Sequence, residues 1–163
     1  MVETVFFASN RFEVEAIDYS VIAVEILTKI ANEKRLSIKS HVFDVKKKKP
    51  LPFPDGYFDV AYSHMLFNMR FSLDDIHFIL SEIRRLLKPK GWNFFSVRNH
   101  NDKFYGKGQE IEKGIFDING FQIRFFTENE IQDLVESEGF EILQIKEEYE
   151  EPATLYLVTS KKH

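Results

Sequence analysis

Two short apolar segments, each closed by an aspartate and separated by a helix-forming stretch, constrain this chain more than any other feature. Residues 12–17 (Phe-Glu-Val-Glu-Ala-Ile) alternate apolar and acidic side chains, the period of a strand, and Asp18 ends the run. Ser20 is placed to cap a helix through about residue 34, with Val21, Val24, Leu27, Ile30 and Ala31 at helical spacing. Residues 38–43 (Ile-Lys-Ser-His-Val-Phe) read as a second strand, ending at Asp44. Strands separated by helices argue for an α/β layer architecture with a mostly parallel sheet.

The same alternation continues. Residues 3–9 are short and apolar and read as the end of a helix. Lys46 to Lys49, three prolines (Pro50, Pro52, Pro54) and Gly56 make a loop. Residues 58–63 (Phe-Asp-Val-Ala-Tyr-Ser) form a third strand. A long helix runs from about Leu73 to Leu87, with Leu73, Ile76, Ile79, Leu80, Ile83 and Leu87 on its apolar face. Lys88-Pro89-Lys90-Gly91 is expected to stop it, because proline cannot continue a helix and glycine suits the turn. Residues 92–97 are a fourth strand, and 98–110, polar and containing Gly106 and Gly108, are a loop. Asn119-Gly120 between 115–118 and 121–124 predicts a hairpin, since both turn positions need positive φ. Thr127 to Glu130 is a capping box opening a helix to about Glu138, ended by Gly139. Residues 140–147 and 153–159 read as two antiparallel strands, an antiparallel edge on the sheet. There is no repeat or flexible linker, so residues 1–163 read as one domain carrying a hairpin insertion at about 114–125.

Composition removes whole classes of function. A chain of 163 residues is long enough to bury a core without disulfides. Hydrophobic residues are 44% and charged residues 29%, a globular balance. The net charge of −4 disfavours nucleic acid as a partner. The absence of cysteine excludes disulfide scaffolds, thiol catalysis and cysteine-held metals. No apolar run approaches the roughly 18 residues of a membrane span, and Met1 to Asn10 lacks a signal-peptide pattern, so a cytoplasmic location is expected. Seventeen phenylalanines make the core aromatic. Phe6, Phe7, Phe125 and Phe126 are read as part of it. Of seven glycines the first is Gly56, so the first third contains no glycine-rich phosphate loop.

In open parallel sheets, ligands bind beyond the carboxyl ends of the strands. Asp18, Asp44 and the pair Ser63-His64 fall there. A carboxylate can accept both hydroxyls of a ribose through its two oxygens. Asp18 is equally suited to capping the helix beside Ser20. Lys46 to Lys49 read as a solvated surface, and His100 and Asp102 near Tyr105 as a polar loop.

Taken together these residues resemble the class I S-adenosylmethionine-dependent methyltransferases, in particular the small-molecule (type 11 or type 25-like) branch, over nearly the whole chain. The motifs are Val14-Glu15-Ala16-Ile17-Asp18-Tyr19-Ser20, Asp44 followed by Leu51-Pro52-Phe53-Pro54-Asp55-Gly56-Tyr57-Phe58-Asp59, and Leu87-Lys88-Pro89-Lys90-Gly91. The resemblance implies a Rossmann-like sheet and S-adenosylmethionine as cofactor. It implies that Asp18 binds the ribose hydroxyls with Tyr19 near the adenine. Asp44 would accept from the adenine amine, Val45 would donate its backbone N–H, and Ser63 and His64 would line the methionine side. It leaves Asp55 and Asp59 structural, names no catalytic base, and places a small-molecule acceptor against Met65–Phe71 and Arg98–Arg124.

The family opens with a strand and a glycine-rich turn about twenty residues before the acidic residue. Counting back from Asp18 puts that turn at or before Met1, so the chain is expected to begin just after it. Three arrangements would relieve the two strands flanking the missing one: direct pairing of those strands, a homodimer that completes the sheet, or a longer natural protein. Weak cofactor binding follows as an expectation. The alternatives to an enzyme are a non-catalytic remnant of the fold acting as an oligomeric or interaction module, and a nucleotide or nucleic-acid binder.

Overall fold

In the computed structural model, which describes residues 1–163, the first element is the helix α1 (Val2–Ser9). It leads into strand β1 (Val14–Asp18), helix α2 (Val21–Lys34) and strand β2 (Ile38–Val42). The expected cap is present: Ser20 Oγ accepts the Ala23 N–H at 3.3 Å. Arg35 closes α2 in the left-handed region (φ 53°), and the chain returns so that β1 and β2 pair in parallel, from Val14 opposite Ile38 to Asp18 opposite Val42. A 3-10 turn, Val45–Lys47, follows. These elements make one compact unit, residues 1–51. Its buried apolar side chains are Ala8, Leu27 and Ala31. Phe6 is not in a core: 62% of its surface is exposed, because the short helix α1 has too few covered positions for two adjacent rings.

The second unit, residues 52–163, holds the remaining elements. They are β3 (Phe58–His64), α3 (Leu73–Leu86), β4 (Leu87–Arg98), β5 (Gln109–Glu112), β6 (Ile115–Ile118), β7 (Phe121–Arg124), α4 (Glu128–Ser137), β8 (Phe140–Glu150) and β9 (Ala153–Lys162). The main sheet has the order β3-β4-β9-β8, with β3 and β4 parallel and β9 antiparallel to both its neighbours. Both long helices open on capping boxes. Ser72 and Asp75 exchange hydrogen bonds at the start of α3, and Thr127 and Glu130 do so at α4. The apolar faces of α3 and α4 meet the sheet in a cluster of Phe67, Ile76, Leu80, Phe95, Val97, Phe126 and Ile131. Each such side chain taken from water contributes roughly 1.5–3 kcal/mol, which makes this cluster the main source of stability in the unit.

Two expectations are corrected here. Lys88 to Gly91 does not separate helix from strand, because α3 runs straight into β4 at Leu87. Phe58 pairs with Leu87 and Val60 with Trp92, so the four residues are the extra length of a bulge. Proline is tolerated there because it lies outside regular ladder pairing. Residues 109–112 are not loop but a third strand beside the predicted hairpin, giving the small sheet β5-β6-β7. Asn119 (φ 54°) and Gly120 (φ 86°) turn that hairpin as predicted.

The small sheet is an insertion whose two stems are held together. The Phe126 N–H donates to Arg98 O (3.0 Å), the His100 N–H donates to Phe126 O (3.2 Å), and Asn99 and Phe126 form a parallel bridge. β1 is bonded only to β2, and β3 only to β4. No helix is long and apolar enough to cross a membrane.

Candidate functional site

In the first unit, the parallel register of β1 and β2 puts both predicted aspartates at the carboxyl end of the ladder, Asp18 opposite Val42 and Asp44 two residues past it. The Phe43 N–H donates to Asp18 O at 2.8 Å and fixes that arrangement. Each carboxylate then does the same local work. Asp18 Oδ1 accepts the Ser20 N–H at 2.8 Å, and Asp44 Oδ1 accepts the Lys46 N–H at 3.0 Å. These are side-chain-closed turns, in which the aspartate bonds the backbone two residues on. They orient both carboxylates and leave Oδ2 of each without a protein partner. The two readings of Asp18 are therefore compatible: it caps with one oxygen and offers the other. Tyr19 is 67% exposed, and Val45 opens the 3-10 turn. Lys46 to Lys49 are exposed, as expected.

In the second unit, Ser63 and His64 end β3. Ser63 Oγ is buried with no hydrogen-bond partner. His64 Nδ1 lies 2.8 Å from Ser96 Oγ, and its Nε2 lies 3.7 Å from a Glu150 carboxylate oxygen. Ser96 Oγ already accepts the Met65 N–H at 3.1 Å. Ser96 Oγ therefore joins the Met65 backbone to the His64 ring. Sequence reasoning passed over Ser96, because its partner is 32 residues away in the chain.

Asp55 and Asp59 are structural, as expected. Asp55 takes a hydrogen bond from Arg85 at 2.7 Å, and Arg85 also donates to Phe53 O and to Glu82. Glu82 and Asp55 hold the Arg85 guanidinium above its ordinary range. Asp59 pairs with Lys88 at 2.7 Å. Asp102 is buried and accepts from Arg98, Phe104 N–H and Thr154 N–H, which makes it a knot of the loop. His100 packs its ring against Tyr105 and Tyr156. Burial, with the charges of Glu147 and Glu128, pushes the Tyr156 hydroxyl up.

Arg124, at the end of β7, is the outlier. It is 7% exposed. Its Nη2 donates to Phe71 O at 3.1 Å, its Nε is buried with no partner, and no carboxylate lies within ion-pairing distance. Burial pushes its pKa down, opposed by the more distant charges of Glu112 and Glu130. An uncompensated buried charge costs on the order of several kcal/mol.

A helix-flanked parallel ladder followed by an antiparallel pair is the architecture of the Rossmann-like methyltransferases. A family model described as a methyltransferase domain matches residues 3–95, more than half of the chain, and the chain belongs to that family. Solved structures agree in fold. An S-adenosylmethionine-dependent methyltransferase from Methanosarcina mazei superposes with a TM-score of 0.85 at 22% identity, over 97% of this chain and 85% of that one. The 1,6-didemethyltoxoflavin-N1-methyltransferase of Burkholderia thailandensis, solved with 1,6-didemethyltoxoflavin and S-adenosylhomocysteine, gives 0.77 at 19% identity, over 98% and 65%. The cyclase SpnF gives 0.70 at 18% identity, over 97% and 69%. A search of curated proteins finds no match. By resemblance the cofactor is S-adenosylmethionine.

Proposed function

We propose that this chain is an S-adenosylmethionine-dependent methyltransferase acting on a small-molecule acceptor, with residues 1–163 forming one domain. The observation that carries the reading is the pair of aspartates at the ends of β1 and β2, each anchored by Oδ1 and open at Oδ2. Anchoring fixes the carboxylates before a ligand arrives, so little side-chain entropy is lost on binding. Asp18 Oδ2 is suited to accept from the ribose hydroxyls, and Asp44 Oδ2 from the adenine amine. Tyr19 offers an exposed ring for the adenine, and Val45 a backbone donor beside Asp44. Ser63 and His64 carry the polar groups that the resemblance allots to the methionine end. The cofactor supplies an electrophilic methyl group on a positively charged sulfur. The residues of the chain therefore need only bind and orient, and no dedicated base is required. The small molecule bound by the Burkholderia enzyme supports a small-molecule acceptor for this chain as well.

No glycine lies before Gly56, so nothing in β1 or its approach lets backbone close on a ligand as a glycine turn does. Cofactor binding is accordingly weaker than micromolar. Calorimetric titration with S-adenosylhomocysteine tests the reading. Saturable binding is expected, with Asp18→Asn and Asp44→Asn each lowering affinity about tenfold or more, the value of one charged hydrogen bond. Unchanged affinity in both variants overturns the site. A folded chain that binds nothing leaves the second reading, a non-catalytic member of the fold that works by assembly, which the free edges of β1 and β3 favour. Micromolar affinity in the unaltered chain removes the claim of weak binding.

A further inference from the structure

We propose that Arg124 anchors a carboxylate on the methyl acceptor; this rests on the methyltransferase reading above. A guanidinium has five donors in a planar fork and remains charged at any physiological pH. Arg124 uses one of them, to Phe71 O, and its Nε–H is buried with nothing to meet. The fork is ion-paired to no carboxylate, and its Cζ lies 5.9 Å from the centre of the Phe126 ring. A purely structural arginine spends its donors on carboxylates or carbonyls, and a methionine would fill this space without a charge to bury. The donors left over suit a partner from outside the chain.

Its position fits an acceptor. The 3-10 turn Leu66–Asn68 follows β3 by two residues. From it Asn68 donates to Arg124 O at 2.6 Å and accepts from the Arg98 N–H, at the end of β4, at 3.0 Å. Arg124 is thus tied to the carboxyl ends of β3 and β4. Glu112 and Glu130 are the acids whose charges reach it, and Glu130 is already engaged by Thr127 and Lys113. The surroundings select a carboxylate over a phosphate. Arg98 is committed to Asp102, so one free positive charge is present for one negative charge, among Phe71, Phe125 and Phe126. A carboxylate also matches the fork with two parallel bonds.

The test uses the full chain, with benzoate and inorganic phosphate as probes up to about 50 mM, a concentration suited to millimolar affinity. Benzoate is expected to raise the melting temperature saturably and to shift the arginine side-chain Nε–H resonance of Arg124, and phosphate to do neither. Arg124→Met is expected to melt at or above the unaltered chain in buffer, since it removes a buried charge, and to lose the benzoate response. Arg124→Lys, which keeps the charge but not the fork, is expected to weaken that response at least tenfold and serves if the methionine variant does not fold. No benzoate response in the unaltered chain, a response to phosphate alone, or an equal response in either variant overturns the proposal. S-adenosylhomocysteine titration of the unaltered chain is read separately. Cofactor binding without a benzoate response removes the Arg124 site and leaves the methyltransferase reading standing.

Discussion

Arg85 shows how much one side chain holds in this fold. It bonds Glu82 on its own helix and reaches Phe53 O and Asp55 across the proline-rich stretch, so it fastens that stretch to α3. Glu82 is 8% exposed and pairs with Arg85 at 2.7 Å. Arg85→Ala is expected to destabilise the chain by roughly 3 kcal/mol, read from urea unfolding, because it breaks the ion pair of a buried carboxylate and releases the proline-rich stretch from α3. A double variant with Glu82→Gln is expected to recover much of the loss. At this scale the sequence was legible where a residue acts on its neighbours. Asp18, Asp44, Ser20 and Thr127 all make the bond two or three positions away that their residue types favour. Ser96 and Arg124 were not legible, because their partners lie 32 and 53 positions away. The one local signal at Arg124 was a charge set between Ile123 and Phe125-Phe126.

The helix α4 carries a prediction about pH. Burial alone would raise the Glu130 carboxyl, but the Thr127 backbone and hydroxyl donors and the Lys113 charge together hold it below its ordinary 4.5. A carboxyl lowered in the folded state contributes stability above its unfolded pKa and loses it as pH falls through the folded value. Thermal melts below about pH 4.5 should therefore show a loss that Glu130→Gln abolishes while keeping the cap, since glutamine also serves at this position. Elements with such caps were readable in advance, and so were strands with a clean period of two. β5 was missed because Gln109, Glu110 and Glu112 show no apolar alternation; its pairing to β6 makes it a strand, not its composition. The start of β4 was missed for the opposite reason. Lys88 to Gly91 carries a strong local turn signal, and tertiary pairing at Leu87 and Trp92 turns it into a bulge.

For the molecule as a whole, the consequence of three separate sheets lies in backbone protection. The inner strands β4 and β9 are bonded on both sides, whereas β3 has one partner and one open side. In hydrogen exchange the amides of residues 92–96 in β4 and 155–161 in β9 are expected to be slow and those of β3 to alternate between slow and fast. Uniformly slow β3 amides would mean that another strand, from a second copy, occupies the edge. The layer architecture was visible from the order of strands and helices alone. The open sides of the strands were not visible in the local pattern of any one of them, because an edge is a property of the order in which strands pair.

The bridge between Asn99 and Phe126 has a consequence for how such a protein can change. It closes the segment that carries β5, β6 and β7 into a loop whose two ends already touch. Asp102 and Arg124, just inside the stems, are also bonded to the frame, and lengthening a loop with closed ends costs little. The part of the segment beyond those two anchors is therefore free to be lengthened, shortened or replaced in descendants while the frame stays fixed. New clientele can be recruited there by drift in one cassette, without renegotiating the core.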